Sequence, residues 1–241
     1  MKIQIQDQPF TVRIVMFPLT HLVSGLILLL TFTSKPGTMQ PHHTLLCLGD
    51  SYTIGESVLP AENFPNQTIR LLRRDGYAFA DPEIIAKTGW TTDELQEAID
   101  KHFFKGSYDF VTLLIGVNNQ YRGRTVENYK SEFESLLKQA IEFANGNAEH
   151  VIVLSIPDWG VTPFAKDLDT KQIAIGIDNY NAANKAIADN DKVSYIDITP
   201  ATRQAAIDRS LIAGDGLHPS AKEYTKWSER LAALIKSAIK P

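Results

Sequence analysis

Three residues in glycine-containing turns of this chain are of the types that carry out acyl transfer. Ser51 directly follows Gly49 and Asp50, and a serine hydroxyl becomes a nucleophile when a neighbouring base takes its proton. His218 can be that base, because an imidazole titrates near neutral pH. Asp215 stands three residues before His218 and can orient its other ring nitrogen. The spacing therefore favours Ser51 as nucleophile, His218 as base and Asp215 as orienting acid.

Acyl transfer also needs hydrogen-bond donors at the point where negative charge develops on the carbonyl oxygen. Three groups in this chain can supply them: the N–H of Ser51, the N–H of Gly89 and the side-chain amide of Asn118. A glycine at position 89 lets the backbone approach a ligand without a Cβ in the way. We therefore predict an oxyanion hole formed by these three residues.

The segments that must position these residues alternate between strand-like and helix-like patterns. Apolar runs predict strands over residues 44–48, 83–87, 109–115, 150–156 and 194–198. Helical periodicity predicts helices over 62–74, 92–103, 125–144, 169–190 and 220–239. Apolar strands separated by helices indicate a parallel sheet covered on both faces. The prediction is an α/β fold, a single three-layer α/β/α domain with a central, mostly parallel five-stranded sheet.

The polar residues stand where such a sheet binds ligands, beyond the carboxyl ends of its strands. Each also has an ordinary structural interpretation. Ser51 and Asp50 can cap a helix, and Gly89, Asn118 and Asp215 can belong to simple turns. Four of the five loops after predicted strands combine a glycine with a side chain that can donate, accept or attack. This coincidence favours the catalytic interpretation.

The N-terminal segment is typical of an export signal. Residues 22–32 form a largely apolar run of 11 residues, and Lys2 and Arg13 precede it. This length fits a signal peptide better than a membrane span, which needs about 20 residues. No clean cleavage site follows, so a cleaved signal peptide and an uncleaved membrane anchor both stay open for residues 1–33. We expect a polar linker over 34–43 and export to the periplasm or the extracellular space.

Composition narrows the class of function. The chain has 241 residues, 44% of them hydrophobic, which is enough for one sizeable core, and we expect one domain over 44–241. The net charge of −4 and the absence of a Lys/Arg run argue against nucleic-acid binding. The single cysteine, Cys47, excludes a disulfide within the chain. No Walker A sequence and no G-x-G-x-x-G follows a strand, so we expect no cofactor, and the chemistry requires no metal.

These residues resemble the motif blocks of the SGNH (GDSL-type) hydrolase family. The resemblance spans about residues 44 to 238. The family's four blocks have counterparts here, in order, at Gly49-Asp50-Ser51, Gly89, Asn118 and Asp215-Gly216-Leu217-His218. No single block is specific, but four in order are.

The resemblance implies a flavodoxin-like SGNH-hydrolase fold. It assigns Ser51 as the nucleophile and first oxyanion N–H, and Gly89 and Asn118 as the other two oxyanion donors. One departure is Asn119, where the family usually has aspartate, and we expect it to change local support without removing the chemistry. The elbow G-x-S-x-G is absent around Ser51, which argues against the α/β-hydrolase fold.

The implied function is hydrolysis of a carboxylic ester through an acyl-enzyme on Ser51. The resemblance is closest to the lysophospholipase and acyl-thioesterase-like branch, but the family also includes carbohydrate deacetylases. A lipid-like acyl ester and an acetylated carbohydrate therefore both stay open as the substrate. The expected partner is that small-molecule, lipid or carbohydrate ester, with membrane contact only through the N-terminal segment if it is uncleaved.

Several residues near strand ends are candidates for the substrate pocket. They are Asp50, Trp90, Gln120, Tyr121 and Trp159. The alternative for each tryptophan is packing within its loop. Arg122 and Arg124 can meet a phosphate or a sugar acid, or only water. The rival function is a non-catalytic ligand-binding module on the same fold, against which the intact Ser51, Asp215 and His218 weigh.

Overall fold

A five-stranded parallel sheet forms the centre of the fold. The computed structural model describes residues 43–239. The strands are β1 (Leu45–Asp50), β2 (Glu83–Lys87), β3 (Phe110–Leu114), β4 (Val151–Leu154) and β5 (Ser194–Ile196). Their order is β2-β1-β3-β4-β5, and every neighbouring pair is parallel. This is the flavodoxin-like order, and it confirms the predicted fold class.

The burial of each strand follows from its place in the sheet. Every residue of β1, β3 and β4 is buried, whereas the edge strands β2 and β5 are partly accessible. A strand buried on both faces reads as a continuous apolar run, which is why the central strands were visible in the sequence.

Helices connect the strands. They are α1 (Ser51–Ile54), α2 (Phe64–Arg74), α3 (Thr92–Lys101), α4 (Val117–Tyr121), α5 (Val126–Phe143), α6 (Thr170–Asn190), α7 (Thr199–Thr202) and α8 (Ala221–Ala238). Single 3₁₀ turns lie at Pro60–Glu62, Ala148–His150, Trp159–Val161, Pro163–Ala165, Arg203–Ala206 and Arg209–Leu211.

The long helices form the outer layers. α2 packs against α8, while α5 packs against both α3 and α6. Aromatic side chains fill the interface between α2 and α8, where the ring centroid of Trp227 lies 6.1 Å from that of Phe64 and 5.0 Å from that of Tyr224. All three side chains are fully buried, so this contact is a main part of the core.

The five long helices lie within one or two residues of their predicted bounds. Strand β1 differs, because it continues through Gly49 to Asp50 and so ends directly at Ser51. The short helices α1, α4 and α7 were not predicted, since four or five residues are too few to show a helical period.

The predicted leader and most of the predicted linker, residues 1–42, lie outside the described residues. His43, at the end of the predicted linker, forms a parallel bridge with Phe79 beside the sheet. Among the helices between residues 43 and 239, none has both the length and the apolar content needed to cross a bilayer.

The close approach of α1 to the sheet depends on Gly49. A Cβ at this position would lie 2.5 Å from the carbonyl oxygen of Leu114 and would overlap the side chain of Thr53. We predict that Gly49→Ala lowers the free energy of unfolding by roughly 2 kcal/mol, as overpacking of a core does. Urea unfolding measures this value.

Gly106→Ala is the matched control, because within residues 43–239 no heavy atom lies within 4 Å of the place that a Cβ on Gly106 would take. Its free energy of unfolding should change by less than about 1 kcal/mol. Equal stability of the two variants would contradict the close contact at Gly49.

Candidate active site

The loops at the carboxyl edge of the sheet surround a cavity of about 160 Å³. Its walls come from the ends of β1, β2, β3 and β4 and from the turn before α8. The lining residues are Ser51, Tyr52, Thr88, Gly89, Val117, Asn118, Tyr121, Trp159, Phe164, Leu217 and His218. The sequence-predicted residues Ser51, Gly89, Asn118 and His218 therefore meet at one cavity.

Ser51 lies at the junction of β1 and α1. It is the first residue of the helix, and its side chain is 4% exposed. The preceding Asp50 caps α1 by accepting a hydrogen bond from the N–H of Tyr52 at 3.0 Å. The first N–H groups of a helix have no partner within it, so the N–H of Ser51 makes no bond within α1. The predicted helix cap and the candidate nucleophile are thus neighbouring residues with separate tasks.

His218 is held by Asp215. The imidazole Nδ1 lies 2.6 Å from Asp215 Oδ2, and the ring is only 6% exposed. The ring of Tyr52 packs against it with a centroid separation of 5.2 Å. Because Asp215 occupies Nδ1, Nε2 is the nitrogen left for chemistry at the cavity.

The Asp215 carboxylate is kept ionised by its surroundings. Partial burial acts to raise its pKa, but hydrogen bonds from His218, the N–H of Leu217 and Ser57 outweigh burial and lower the pKa to about 2. Asp215 therefore stays negative across the neutral range and can stabilise a positive charge on the imidazole that it contacts.

No hydrogen bond between residues 43 and 239 joins Ser51 to His218, although both line the cavity. Hydrogen bonds between catalytic groups are often long in a free enzyme and shorten when substrate binds. The geometry brings the hydroxyl and the imidazole to one space.

The candidate oxyanion donors are fixed by contacts outside the cavity. Gly89 has φ +85°, a left-handed conformation that glycine adopts without strain, and its carbonyl oxygen accepts from Arg122 Nη2 at 2.7 Å. Asn118 Nδ2 donates to the carbonyl oxygen of Trp90 at 2.9 Å and lies 3.5 Å from Asp50 Oδ2. These contacts hold both residues in place, and those of Asn118 engage its Nδ2 group, which would have to turn from Trp90 or Asp50 to donate to a ligand.

Asn119 supports the neighbouring loop. It is fully buried, and its Oδ1 accepts from the N–H of Thr92 at 3.1 Å while its Nδ2 donates to the Thr92 hydroxyl at 2.6 Å. Both bonds attach α4 to the start of α3, close to Gly89. An aspartate could not donate the second bond unless it were protonated, so this departure from the family changes a supporting contact.

Three aromatic rings form one side of the cavity. Tyr121 meets Trp159 at a centroid distance of 5.3 Å, and Phe164 lies 6.0 Å from Trp159 and 6.3 Å from Tyr121. Gln120 does not line the cavity; its Oε1 accepts from Trp159 Nε1 at 2.8 Å and so fixes the indole ring.

Two other candidate pocket residues also lie outside the cavity lining. Asp50 is fully buried behind Ser51, and Trp90 packs on the core and presents its carbonyl oxygen to Asn118. Sequence reasoning missed five lining residues: Tyr52, Thr88, Val117, Phe164 and Leu217. Val117 directly precedes Asn118, and Leu217 lies between Asp215 and His218, so both had a usable signal, whereas Phe164 had none.

The two candidate anion-binding arginines are engaged by carboxylates. Arg122 Nη1 lies 3.2 Å from Glu94, and Arg124 Nη1 donates to Asp93 at 2.6 Å. The bond from Arg124, opposed by slight burial, lowers the pKa of Asp93 to about 2. These side chains link α3 to the segment after α4.

Fold and sequence together define the class of protein. The order of the sheet and the cavity at its carboxyl edge are those of a flavodoxin-like α/β protein with a site at its strand ends. The family model described as GDSL-like lipase/acylhydrolase matches residues 47–226. The chain belongs to this GDSL-like lipase/acylhydrolase family, and the family supports ester hydrolysis as its general activity. No curated protein matches the chain in sequence.

Solved structures with the same fold include three ester hydrolases. A lipase/acylhydrolase from Enterococcus faecalis is 20% identical, with a TM-score of 0.66 over 83% of this chain and 98% of that one. A psychrotrophic esterase from Pseudoalteromonas sp. is 14% identical, with a TM-score of 0.64 over 81% and 97%. An acetylxylan esterase from Geobacillus stearothermophilus is 18% identical, with a TM-score of 0.59 over 83% and 96%. At these identities the likeness shows the fold alone.

Asp50 is a buried carboxyl group without a cationic partner in the described structure. Burial raises its pKa to about 7, although the N–H of Tyr52 acts in the other direction. An unfolded aspartate has a pKa of about 3.9. Between these two values the folded state binds more protons than the unfolded state, so this residue makes stability fall as the pH rises from about 4 to about 7.

We predict that Asp50→Asn removes this pH dependence, because the amide is neutral and can still accept from the N–H of Tyr52. The variant should gain stability relative to the wild type between about pH 4 and about pH 8, by an amount on the order of a few kcal/mol. Urea unfolding of both proteins at several pH values gives the difference. A difference that stays constant with pH would contradict the raised pKa.

Proposed function

We propose that this protein is a serine esterase that hydrolyses carboxylic esters through an acyl-enzyme on Ser51. The observation that carries the proposal is the shared cavity. It brings Ser51 together with His218, whose Nδ1 is held by the Asp215 carboxylate. Gly89 and Asn118 line the same cavity and are the proposed oxyanion donors, together with the N–H of Ser51.

In the proposed first step, Ser51 Oγ attacks the ester carbonyl carbon while His218 Nε2 takes the hydroxyl proton. The carbonyl oxygen becomes an oxyanion that accepts hydrogen bonds from the three donors. The bond from carbon to the alcohol oxygen then breaks, and His218 returns its proton to that leaving oxygen. An acyl group remains on Ser51, and the alcohol departs.

Water completes the proposed cycle. His218 Nε2 takes a proton from water as the water oxygen attacks the acyl carbon, and the same donors stabilise the second oxyanion. The bond between the acyl carbon and Ser51 Oγ then breaks, and the proton passes to Ser51. Asp215 stays ionised throughout and stabilises the imidazolium in both steps.

The lining of the cavity supports an ester with an apolar, lipid-like acyl group as the substrate. The aliphatic and aromatic residues Val117, Tyr121, Trp159, Phe164 and Leu217 are all part of its lining. Beyond the proposed catalytic groups, the lining offers the hydroxyl groups of Thr88, Tyr52 and Tyr121. A sugar ring would leave several hydroxyl groups without partners there, and unpaired polar groups cost binding energy.

We propose further that the apolar segment within residues 1–33 exports the enzyme. The support is the sequence pattern alone: an apolar run of signal-peptide length after two basic residues. On this proposal the esterase works in the periplasm or outside the cell, as a free protein or one tethered by its leader.

Labelling with a fluorophosphonate tests the function. Such a reagent reacts with an activated serine, so we predict covalent modification of Ser51 in the wild type and loss of ester turnover on labelling. Ser51→Ala should abolish both labelling and turnover, because no other group supplies the nucleophile. Mass spectrometry of the modified peptide identifies the site.

Ser237→Ala is the control, since Ser237 is an exposed serine near the end of α8 whose hydroxyl donates to the carbonyl oxygen of Leu234. It should label and turn over like the wild type. An unlabelled wild type would support the non-catalytic binding module instead, and full activity in Ser51→Ala would refute the nucleophile.

A panel of chromogenic esters tests the substrate class. Phe164 is a half-exposed wall of the cavity, so Phe164→Ala should lower kcat/KM for a hexanoyl ester roughly tenfold through lost apolar contact. The same variant should change kcat/KM for the acetyl ester less than about twofold, because an acetyl group is too short to need that wall.

Phe103→Ala is the matched control, because Phe103 is 84% exposed and lies away from the cavity lining. Equal losses of kcat/KM on the hexanoyl and acetyl esters in Phe164→Ala would contradict the assignment of Phe164 to the acyl pocket. Faster turnover by the wild type of an acetylated oligosaccharide than of the hexanoyl ester would favour the carbohydrate alternative.

A further inference from the structure

Ser57 connects the loop after Ser51 to the proposed catalytic acid. Its hydroxyl donates to Asp215 Oδ2 at 2.7 Å, although the two residues are 158 positions apart in the chain. The same oxygen atom lies 2.6 Å from His218 Nδ1. The serine therefore contacts the carboxylate oxygen that orients the base.

This bond completes the hydrogen bonding of the carboxylate. Asp215 Oδ1 accepts from the N–H groups of Leu217 and His218 at 2.9 and 3.0 Å. Oδ2 accepts from Ser57 and from the imidazole. A carboxylate has about four lone-pair sites, so every site is filled and the group has one fixed orientation.

The backbone that aims the Ser57 hydroxyl is itself unusual. Ser57 has φ +65°, a left-handed conformation that costs a non-glycine residue about 1 kcal/mol or more. The turn is bound to α1, because the N–H groups of Gly55 and Glu56 both donate to the carbonyl oxygen of Ser51, at 3.1 and 3.0 Å. The position of the hydroxyl therefore follows the position of the nucleophile.

The adjacent side chain makes a similar link to the oxyanion loop. Glu56 Oε2 accepts a hydrogen bond from the hydroxyl of Thr88, the residue before Gly89. One short turn thus contacts two of the other loops that build the site, those of Asp215 and Thr88.

We propose that Ser57 is a positioning residue for the Asp215–His218 pair. This positioning role rests on the proposed function, in which His218 accepts the proton of Ser51. The Ser57 hydroxyl fixes the carboxylate relative to the nucleophile loop, so that the imidazole presents Nε2 to Ser51. Without this hydroxyl, water takes its place at an exposed position, and water is not tied to α1.

The Ser57 hydroxyl also affects how strongly the Asp215 carboxylate stabilises a protonated His218 imidazole. Its hydrogen bond lowers the pKa of Asp215 together with the bonds from His218 and Leu217, against partial burial, which acts to raise it. Removing one donor leaves more negative charge facing the imidazole, which favours the imidazolium. The acidic limb of the pH profile of kcat/KM should therefore move to higher pH.

Three substitutions separate the hydroxyl from the backbone. Ser57→Ala removes the hydroxyl and keeps the left-handed strain, while Ser57→Gly removes both. Each should lower kcat about tenfold, the size expected for one hydrogen bond to a charged group, with little change in KM. Ser57→Asn should recover part of the loss, because asparagine tolerates this conformation and carries an N–H donor.

Ser210→Ala is the matched control, because its hydroxyl also donates to an aspartate, Asp208 Oδ1, at 2.5 Å on the surface. It should leave kcat and the pH profile unchanged. Thermal unfolding of every variant confirms that the fold is retained, and Ser57→Gly relieves strain, so it should fold even if Ser57→Ala does not.

Wild-type kcat and an unmoved acidic limb in Ser57→Gly would overturn the positioning role. Full activity in Ser57→Gly with a loss in Ser57→Ala would also overturn it, since strain and not the hydroxyl would then explain the loss. Failure of the proposed function shows separately, as a wild type that neither hydrolyses esters nor labels at Ser51, and it would remove the basis of this proposal.

Discussion

The hydrogen bond between Asp215 and His218 is the interaction on which the rest of the site depends. An imidazole that is only 6% exposed needs an acceptor for its Nδ1 proton, and the carboxylate of Asp215 supplies it at 2.6 Å. That carboxylate can remain negative because its oxygen atoms accept hydrogen bonds from the backbone and from Ser57. The bond thus fixes both the orientation of the ring and the nitrogen that faces the cavity.

The parallel sheet brings the Asp215–His218 pair and Ser51 to the same edge. Because the five strands are parallel, their carboxyl ends reach one edge, and residues far apart in the chain meet there. The buried centre of the sheet resists displacement, so Ser51, at the end of the fully buried β1, has a fixed position. The turn before α8 is anchored differently, by the bond from Ser57 to Asp215 and by the backbone bond from the N–H of Phe164 to the carbonyl oxygen of Gly216. The site therefore joins a rigid sheet end to a loop held by hydrogen bonds to other loops.

The sequence predicted the fold well because central strands in a parallel sheet are continuous apolar runs. It also singled out Ser51, Gly89, Asn118 and His218, since glycine and polar residues at strand ends form a local pattern. That pattern cannot tell which way a side chain points. Gln120, for example, was predicted to line the pocket, but its side chain supports Trp159 from outside the cavity.

Ser57 and Phe164 were not predicted, for a different physical reason. Each lies in a loop, and its contacts come from segments distant in the chain, such as the bond from Ser57 to Asp215. No local periodicity or motif encodes such a contact. Only the assembled sheet edge defines the partner of either residue.

The buried Asp50 shows why the charge state of the site matters. Its Oδ2 lies 3.5 Å from the amide nitrogen of Asn118, a proposed oxyanion donor. A negative charge there would oppose the charge that develops on the substrate, since like charges at short range repel strongly where water is excluded. Burial raises the pKa of Asp50 to about 7 and so favours the neutral acid below that pH. The packing of α1 against the sheet excludes water from Asp50. The same packing thereby limits the negative charge beside the proposed donor Asn118.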